Sequence, residues 1–465
     1  MRLTRRQFAR QALLAGGSVA LGCATHTTST GTSTGTSGGT TGATLPNPAS
    51  SGIQHIVVVT MENRSFDHFF GWLPNAAGKQ AGLSYPDKSG VLHPTYSLSG
   101  DFTGCPKTGP DHSYSGSRSE YNNGAMDGWL TTGANDSFTI GYYGESDIPF
   151  YAALARNYTT CDHYHSSFLG PTFPNRLFLY SAQTDRLDNA VTISQLTTII
   201  DRLLAAKLTF GYYYQNAPFT ALWATQYLGV SHLHSDFFTA AASGNLPNVS
   251  YVDPIYTILD DGTGTDDHPH ADIRKGDLFL HDVFNAIASG PAWSSTVVII
   301  NFDEGGGFFD HVAPPRVTAG NNVDTDLVNG KALLGFRLPV VIASPWTLGA
   351  ASSPRVNSTL FDHTSVLKFI EWRWGLNTLS PRDAGTDINN LAYALDFSKS
   401  VTTVPSLPTP SAPVNGAPCA ANPSGAFGYA RTSPAAPRAA TAPQDDDDEW
   451  ASIRELAIQY GFPLG

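Results

Sequence analysis

The stretch Ile53–Met61, IQHIVVVTM, decides the fold. Its centre is an uninterrupted run of β-branched residues without the polar alternation of a half-exposed strand, which is typical of a strand buried on both faces. Four further stretches are short, apolar and rich in β-branched or aromatic residues: Leu208–Tyr214, Asn248–Val252, Thr296–Phe302 and Leu338–Ser344. Each of the five stretches predicts a buried strand.

Helical patterns alternate with these strands. Ser194–Lys207 and Asp272–Ser289 both predict helices, and in the second Ile273, Leu280 and Ile287 belong to one apolar face at helical spacing. The alternation predicts an α/β fold, a doubly wound and mostly parallel sheet with helices on both faces. The 44 glycines and 31 prolines predict long loops, where functional residues concentrate.

Residues 1–23 have the pattern of an export signal. Adjacent Arg5 and Arg6 precede an apolar run that is shorter than the roughly 20 residues needed to span a bilayer. The segment resembles a twin-arginine signal, and its last four residues, ALGC, resemble a lipoprotein processing site with Cys23 as the lipid-bearing residue. We therefore expect an exported protein of the cell envelope or the extracellular space, and the lipid anchor at Cys23 is left open.

The rest of the chain divides into three segments by composition. Residues 24–51 are rich in Thr, Ser and Gly and predict a flexible tether, whereas residues 52–398 contain the strand and helix patterns. Residues 399–465 are rich in Pro and Ala, include an acidic run and end in the amphipathic stretch Trp450–Tyr460. This tail predicts a linker with a short terminal helix, either docked or free.

The formal charge of −12 argues against a nucleic-acid-binding protein, because binding to a phosphate backbone requires an excess of Lys and Arg. It does not exclude a phosphate ester as substrate, since a bound metal ion inverts the local field.

Three cysteines follow the export signal, Cys105, Cys161 and Cys419, and none has the spacing of a zinc site. Cys105 and Cys161 could form a disulfide in an oxidising compartment, and the sequence leaves this pairing open.

Polar residues directly follow two of the predicted strands. Glu62 and Asn63 come after the first strand, and Asp303 and Glu304 come after the fourth. In a parallel sheet both pairs emerge at the carboxyl edge, where α/β sheets bind ligands. Either pair alone also fits a helix cap or a turn, but four oxygen donors together suit a hard or borderline divalent cation. The sequence predicts one such ion, with Ca²⁺, Zn²⁺, Mn²⁺ and Mg²⁺ all compatible with the donor set.

Five blocks of sequence, in order, resemble the bacterial phosphoesterase family, which includes nonspecific phospholipases C and secreted acid phosphatases. They are HIVVVTMENRSFDHFFGWLP (His55–Pro74), FLGPTFPNRLFLYSAQT (Phe168–Thr184), DDHPHADIRKGD (Asp266–Asp277), NFDEGGGFFDHVAPP (Asn301–Pro315) and FDHTSVLKFIEWRWG (Phe361–Gly375). The resemblance implies an alkaline-phosphatase-like core and a phosphoesterase catalytic domain over residues 52–398.

The resemblance also implies roles for individual residues. Thr172 matches a hydroxyl nucleophile that contacts the metal ion, and His268 matches the histidine that protonates the leaving group. The other matches are the metal ligands Glu62, Asn63, Asp303 and Glu304, the phosphate-pocket residues His112 and Asp127, and the substrate-binding candidates Asn175 and His311. Metal contact would lower the pKa of the threonine hydroxyl, which is otherwise a poor nucleophile. Gly305–Gly307 would allow a sharp turn beside the metal ion, because glycine accepts positive φ.

Three functions fit these residues. We favour a phospholipase C that acts on phospholipids at a membrane surface, over an acid phosphatase that acts on phosphate monoesters and over a surface lipoprotein that binds without catalysis. Aromatic side chains suit a choline head group, although core packing explains them equally well. The aromatic residues in question are Tyr142, Tyr143, Phe150, Tyr151, Tyr164, Phe168, Tyr212, Tyr213, Tyr214 and Trp223.

Overall fold

The computed structural model describes residues 44–105, 107–258, 263–411, 413 and 447–465. They belong to one compact unit, Gly39–Gly465. The predicted export signal and the tether up to residue 43 lie outside the described residues, so export and lipidation at Cys23 stay predictions. Within the described ranges, no helix combines the length and the apolar character needed to cross a bilayer.

The central element is an eight-stranded sheet in the order β14-β6-β13-β10-β1-β9-β7-β8, and the other strands form two-stranded pairs. In chain order the strands are β1 His55–Met61, β2 Ser84–Pro86, β3 Leu92–Pro94, β4 Tyr96–Ser97, β5 Gly141–Tyr142, β6 Thr159–Cys161, β7 Phe210–Tyr214, β8 Ser231–Leu233, β9 Val249–Val252, β10 Thr296–Phe302, β11 Arg316–Thr318, β12 Lys331–Leu333, β13 Val340–Ala343 and β14 Arg355–Asn357.

The predicted mostly parallel sheet is confirmed. Strands β10, β1, β9, β7 and β8 run parallel to one another, whereas β13 is antiparallel to both of its neighbours, β10 and β6. All five predicted strands lie in this sheet. The residues of β1 and β10 are almost entirely buried, as expected for strands covered on both faces.

Two groups of helices cover the sheet: α7 packs against α3 and α6, and α4 packs against α5 and α8. In chain order the helices are α1 Phe66–Phe70, α2 Tyr114–Tyr121, α3 Pro149–Asn157, α4 Thr172–Ser181, α5 Ile199–Ala205, α6 His234–Ser243, α7 Ile273–Ala288, α8 His363–Trp374, α9 Pro381–Ala384 and α10 Asp447–Tyr460. The doubly wound arrangement predicted from the alternation of strands and helices is therefore present.

The two helices predicted from periodicity begin at polar caps. Asp272 caps α7 by accepting a hydrogen bond from Arg274 N. The helix predicted over 194–207 begins later, at Ile199, because Thr198 and Asp201 form a capping box there. The periodic pattern was correct, and the local cap set the boundary.

The aromatic side chains considered for a choline site are mostly core residues. Nine of them are buried, and Tyr142 is half-buried: the buried ones are Tyr143, Phe150, Tyr151, Tyr164, Phe168, Tyr212, Tyr213, Tyr214 and Trp223. Core packing accounts for them, so they do not indicate a head-group site.

The cysteines do not form the pair that the sequence left open. Cys105 is disulfide-bonded, whereas Cys161 is a free and fully buried thiol in β6. Strand β6 lies inside the sheet between β13 and β14. A Cys105–Cys161 disulfide is therefore excluded.

The C-terminal helix α10 is docked on the domain. Trp450, Ile453 and Ala457 are buried, whereas Ile458 on the same helix is 61% exposed. The helix packs against the segment Phe219–Trp223. Of the two arrangements expected for the tail, the structure has the docked one.

Arg337 is a fully buried cation that joins several loops. Its guanidinium donates to Asp67 Oδ1 and Asp310 Oδ1, both at 3.0 Å, and to the backbone oxygens of Ala77 and Asp162 at 2.8 and 3.0 Å. Asp67 lies on α1, and Asp310 lies in the loop after β10. Removal of one partner from such a buried cluster leaves charges without compensation, which is far more costly than loss of an exposed pair.

We therefore predict that Arg337→Met lowers the free energy of unfolding by about 3–5 kcal/mol, measured by urea denaturation. Arg156→Met is the control, because Arg156 pairs with Glu145 near the surface and its loss should cost less than about 1 kcal/mol. Equal costs for the two variants would contradict a structural role for the buried cluster.

Candidate active site

The ends of β1 and β10 place the two predicted acidic pairs side by side. The strands pair in parallel with Met61 opposite Phe302, and Asp303 N donates to Met61 O at 3.0 Å. The next residues along each strand therefore emerge at the same carboxyl edge. Asn63 N donates to Asp303 Oδ1 at 3.1 Å across this edge, so the predicted convergence of the two pairs is confirmed.

A buried arginine on α4 holds these carboxylates together. Arg176 contacts Glu62 Oε1 through Nη2 at 2.5 Å and through Nε at 3.0 Å, and Asp303 Oδ2 through Nε at 3.3 Å. Its Nη1 donates to Asp253 Oδ1 at 3.0 Å, and Tyr212 Oη donates to the other Asp253 oxygen at 2.5 Å. Asp253 follows β9, so three adjacent parallel strands each end in an acid that contacts this guanidinium.

Thr172 begins the same helix. It lies four residues before Arg176, and residues at this spacing share one face of a helix. Its side chain is fully buried, and Oγ1 has no hydrogen-bond partner in the part of the chain that the structure describes. A buried hydroxyl without a partner is unfavourable unless a ligand completes it, so Thr172 Oγ1 is poised for a bound group.

Asn175 fixes the segment that leads to Thr172. Its Oδ1 accepts from Phe168 N at 2.9 Å, and its Nδ2 lies 2.9–3.1 Å from the backbone oxygens of Phe168, Gly170 and Pro171. The amide is thus committed to the backbone, an arrangement that positions Thr172. Direct contact between Asn175 and phosphate stays a prediction that these hydrogen bonds do not support.

The backbone beside the acids adopts left-handed conformations. Asn63 has φ of 58°, and Gly306 and Gly307 have φ of 62° and 68°. A Cβ on Gly306 would lie 2.2 Å from Asn63 O, so only glycine fits there. The prediction that this glycine run turns sharply beside the acidic pair is confirmed at these two positions. Strain at a non-glycine residue such as Asn63 is typical of functional sites.

The side-chain amide of Asn63 lies between two histidines and two carboxylates. Its nitrogen is 3.3 Å from His112 Nε2 and 3.2 Å from His268 Nε2. Each imidazole has Nδ1 against a backbone oxygen, Pro110 O at 2.9 Å for His112 and Pro269 O at 3.0 Å for His268. Nδ1 is therefore the protonated nitrogen in each neutral ring, and Nε2 accepts from the Asn63 amide.

In this orientation the Asn63 oxygen faces two other oxygens, Glu62 Oε2 and Glu304 Oε1, each at 3.3 Å. Three acceptors in contact repel one another unless a proton or a cation lies among them. The opposite amide orientation would relieve the contact, but it requires His268 Nε2 to donate. Because Nδ1 already has that role in the neutral ring, the geometry favours three oxygens around a cation, and these residues fit a hard divalent ion.

The charges of the buried groups also favour a cation at this position. The carboxylates of Glu62, Asp303 and Asp253 share the one guanidinium of Arg176, and Glu304 is a fourth buried acid beside them. Burial raises the pKa of Glu62 well above its ordinary value, and Asp303 raises it further, whereas Arg176 opposes the shift. A buried carboxylate in this state is stabilised by a proton or by a metal ion.

The carboxylate of Asp303, a predicted metal ligand, already accepts hydrogen bonds from the protein. Its Oδ1 accepts from the backbone nitrogens of Asn63 and Glu304 at 3.1 and 2.7 Å. Its other oxygen accepts from Arg176 Nε at 3.3 Å. Glu304 Oε2 likewise accepts from Gly306 N at 2.9 Å, which leaves Oε1 directed toward Asn63.

Two predicted site residues have their contacts elsewhere. Asp127 is half-buried in a loop, and its Oδ1 accepts from Asn122 Nδ2 at 2.8 Å, so its place in the phosphate pocket stays a prediction. His311 hydrogen-bonds Asp67 through both its backbone nitrogen and Nδ1. Its role as a substrate-binding residue likewise stays a prediction.

His311 also belongs to a second possible metal-binding group. Asp67, Asp310 and His311 offer ligand atoms within 4.8 Å of one another. Arg337 contacts both carboxylates of this group at 3.0 Å. A guanidinium therefore already balances these acids, which makes this group a less suitable cation site than the oxygens around Asn63.

Sequence interpretation missed Arg176 and Asp253 as parts of the site. Asp253 directly follows a predicted strand, the same signal that identified Glu62 and Asp303, and it could have been found in that way. Arg176 lies one helical turn after Thr172, but which acids it contacts depends on the tertiary structure. Glu120, a buried acid near His112 and Glu304 whose pKa burial raises well above its ordinary value, had no signal in the sequence.

The family model and the related proteins that match this chain agree on one family. A family model described as the phosphoesterase family matches residues 53–377. Non-specific phospholipase C6 of Arabidopsis thaliana is 32% identical over 374 residues, 72% of this chain and 71% of the plant protein. Phospholipase C B of Mycobacterium tuberculosis is 33% identical over 409 residues, 71% of this chain and 76% of that protein. Non-hemolytic phospholipase C of Pseudomonas aeruginosa is 31% identical over 391 residues, 70% of this chain and 54% of its own length.

Solved structures with a partial overlap include a protein in the alkaline phosphatase superfamily from Vibrio parahaemolyticus, with a TM-score of 0.34, 11% identity and coverage of 72% of this chain and 69% of that one. The lipoteichoic acid synthase LtaP from Listeria monocytogenes has a TM-score of 0.36 and 9% identity, over 74% of this chain and 78% of its own.

The family model covers most of the chain, and the relatives match at 30% identity or more over at least two thirds of this chain. The chain therefore belongs to the phosphoesterase family and is a phosphoric ester hydrolase.

Proposed function

We propose that this protein is a metal-dependent phospholipase C that cleaves phospholipids through a threonine nucleophile. The observation that carries the proposal is the convergence of Glu62, Asn63 and Glu304 oxygens at the carboxyl edge. Arg176, on the helix that begins with Thr172, binds Glu62 and Asp303 at the same edge. The names of the relatives, which are phospholipases C, favour a phosphodiester over a monoester as substrate.

Glu62, Asn63 and Glu304 would hold the metal ion, with Asp303 and the Thr172 hydroxyl as further donors. The ion would lower the pKa of the hydroxyl and neutralise charge on the phosphate oxygens. The identity of the ion is open among Ca²⁺, Zn²⁺, Mn²⁺ and Mg²⁺, because oxygen donors of this kind accept all four.

Thr172 attacks phosphorus as the alkoxide, in line with the bond to the diacylglycerol oxygen, after its hydroxyl proton has passed to solvent. The new bond joins Oγ1 to phosphorus, and the bond from phosphorus to the glycerol oxygen breaks. Resting His268 is neutral and accepts from Asn63; with substrate bound it takes a second proton at Nε2 and gives that proton to the leaving oxygen, while Nδ1 stays against Pro269 O. Water then hydrolyses the phospho-threonine, and His268 takes a proton back from that water.

His112 has a supporting position in this scheme. Its Nε2 accepts from the Asn63 amide at 3.3 Å, so it orients one of the proposed metal ligands. Outer hydrogen bonds of this kind commonly set the direction and basicity of a ligand.

The test is product analysis with purified full-length protein and a divalent metal ion. Phosphatidylcholine or phosphatidylethanolamine in mixed micelles should yield diacylglycerol and the phosphorylated head group. Release of inorganic phosphate from p-nitrophenyl phosphate, with the phospholipids intact, would replace the proposal with an acid phosphatase. Absence of hydrolysis from acid to mildly alkaline pH with each of the four metal ions would favour a binding protein.

The nucleophile is tested by Thr172→Val. This change keeps the β-branched shape and removes only an oxygen that has no partner among the described residues, so the fold should survive. The rate should fall at least about a thousandfold, whereas Thr172→Ser should keep appreciable activity.

Ser181→Ala is the matched control, because Ser181 is a second buried hydroxyl on α4 without a partner in the described ranges. It should retain the wild-type rate. A folded Thr172→Val variant with wild-type activity, checked by its melting temperature, would exclude Thr172 as the nucleophile.

The metal ion is tested best at Glu304. Glu62 and Asp303 also form ion pairs with Arg176, so their loss would disturb two functions, whereas Glu304 forms no ion pair with Arg176 in the described part of the chain. Glu304→Gln should weaken metal binding and lower the rate about a hundredfold or more, and prolonged chelation should inactivate the wild type.

Glu371→Gln is the control for loss of a buried carboxylate. Burial and neighbouring Asp383 raise the pKa of Glu371 on α8 to about 9, so glutamine replaces a group that is already neutral at pH 7. Metal content and rate should be unchanged. Full activity of a preparation shown by elemental analysis to be metal-free would refute metal dependence.

A further inference from the structure

Two aromatic rings pack against Arg176. The guanidinium carbon lies 5.1 Å from the ring centroid of Tyr256 and 5.1 Å from that of Trp450. The two rings stack on each other with centroids 3.4 Å apart and an interplanar angle of 11°. Trp450 belongs to α10, which lies beyond the residues matched by the family model.

Trp450 also contacts the start of the nucleophile helix. Its ring centroid is 5.7 Å from Phe173, the residue after Thr172, and 6.3 Å from Phe219. The side chain is 1% exposed, and it is among the largest fully buried side chains of the protein. One residue of the C-terminal helix therefore packs against both Arg176 and the neighbour of Thr172.

Arg176 in turn selects which oxygen of Glu62 faces the proposed cation. The guanidinium takes Glu62 Oε1 through two nitrogens, and this leaves Oε2 toward the Asn63 oxygen. Arg176 binds its three charged partners and Thr60 O through its nitrogen atoms, and the rings of Tyr256 and Trp450 also pack against it. The two rings keep water away from the guanidinium, and ion pairs are stronger where water is excluded.

We propose that Trp450 is a positioning residue of the active site, through which the C-terminal helix holds Arg176 and thereby orients Glu62. Without the indole, Arg176 gains rotamer freedom and access to water, and its hold on Glu62 and Asp303 weakens. The metal ligands then lose their fixed direction. The proposal rests on the proposed function for its catalytic part, but its effect on metal binding is independent of any substrate.

The experiment compares Trp450→Ala, Trp450→Phe and wild type as full-length proteins. Two quantities are measured: the dissociation constant of Mn²⁺ by isothermal titration, and kcat and KM for the ester that the wild type hydrolyses. Trp450→Ala should raise the Mn²⁺ dissociation constant and lower kcat, each about tenfold, at the lower end of the effect of outer-shell substitutions. KM should change little, because Trp450 does not touch the proposed substrate position.

Trp450→Phe keeps an aromatic face and should restore most of both losses. Ile453→Ala is the matched control, since Ile453 is fully buried one turn along the same helix and has no contact with Arg176 among the described ring and ion-pair contacts. It should lower the melting temperature while kcat and the Mn²⁺ dissociation constant stay within twofold of wild type.

Failure of the proposed function and failure of the positioning role of Trp450 give different results. If the wild type hydrolyses no phosphate ester, the proposed function fails, and the Mn²⁺ measurement still tests Trp450. If Trp450→Ala binds Mn²⁺ and turns over as the wild type does, the positioning role is wrong. If Ile453→Ala loses metal affinity and kcat as strongly as Trp450→Ala, α10 acts through stability alone, which also overturns the proposal.

Discussion

The buried ion-pair cluster around Arg176 is the interaction on which the rest of the site depends. Three adjacent parallel strands end in Glu62, Asp303 and Asp253, and without a cation their carboxylates would repel one another in a water-free interior. Arg176 comes from α4, so the same contact that balances the acids also fixes the helix that begins with Thr172. Removing one partner from such a cluster is strongly destabilising, because the remaining charges stay buried.

The negative charge of the cluster is only partly neutralised, so the cluster attracts a cation. One guanidinium shared by several carboxylates leaves negative charge at the carboxyl edge, directed toward the Asn63 oxygen. Asn63 connects the two histidines of the site with two of its acids, since its nitrogen faces His112 and His268 while its oxygen faces Glu62 and Glu304. The backbone of Asn63 is left-handed and therefore strained, and Gly306 leaves room beside it. Together they allow the Asn63 side chain to lie between the histidines and the acids.

The domain uses two buried arginines for different purposes. Arg337 joins α1 to loops through Asp67, Asp310 and the backbone oxygens of Ala77 and Asp162. Arg176 additionally lies against Tyr256 and Trp450, which brings the C-terminal helix into contact with the site. A segment outside the matched family region thus packs directly behind residues of the catalytic domain.

The sequence by itself determined the strands, the type of sheet and the position of two acidic pairs. Continuous β-branched runs such as Val57–Val59 bury both faces, and a residue directly after a parallel strand must emerge at the carboxyl edge, so local pattern was sufficient. Pattern also indicated a helix at the C-terminus. Only the tertiary structure decided that Arg176 contacts acids from three strands, that Asn175 braces a backbone segment, that Cys161 is free, and that Trp450 lies against Arg176. These contacts join residues up to hundreds of positions apart, and their partners are chosen by packing and charge balance in the folded chain, which no local pattern contains.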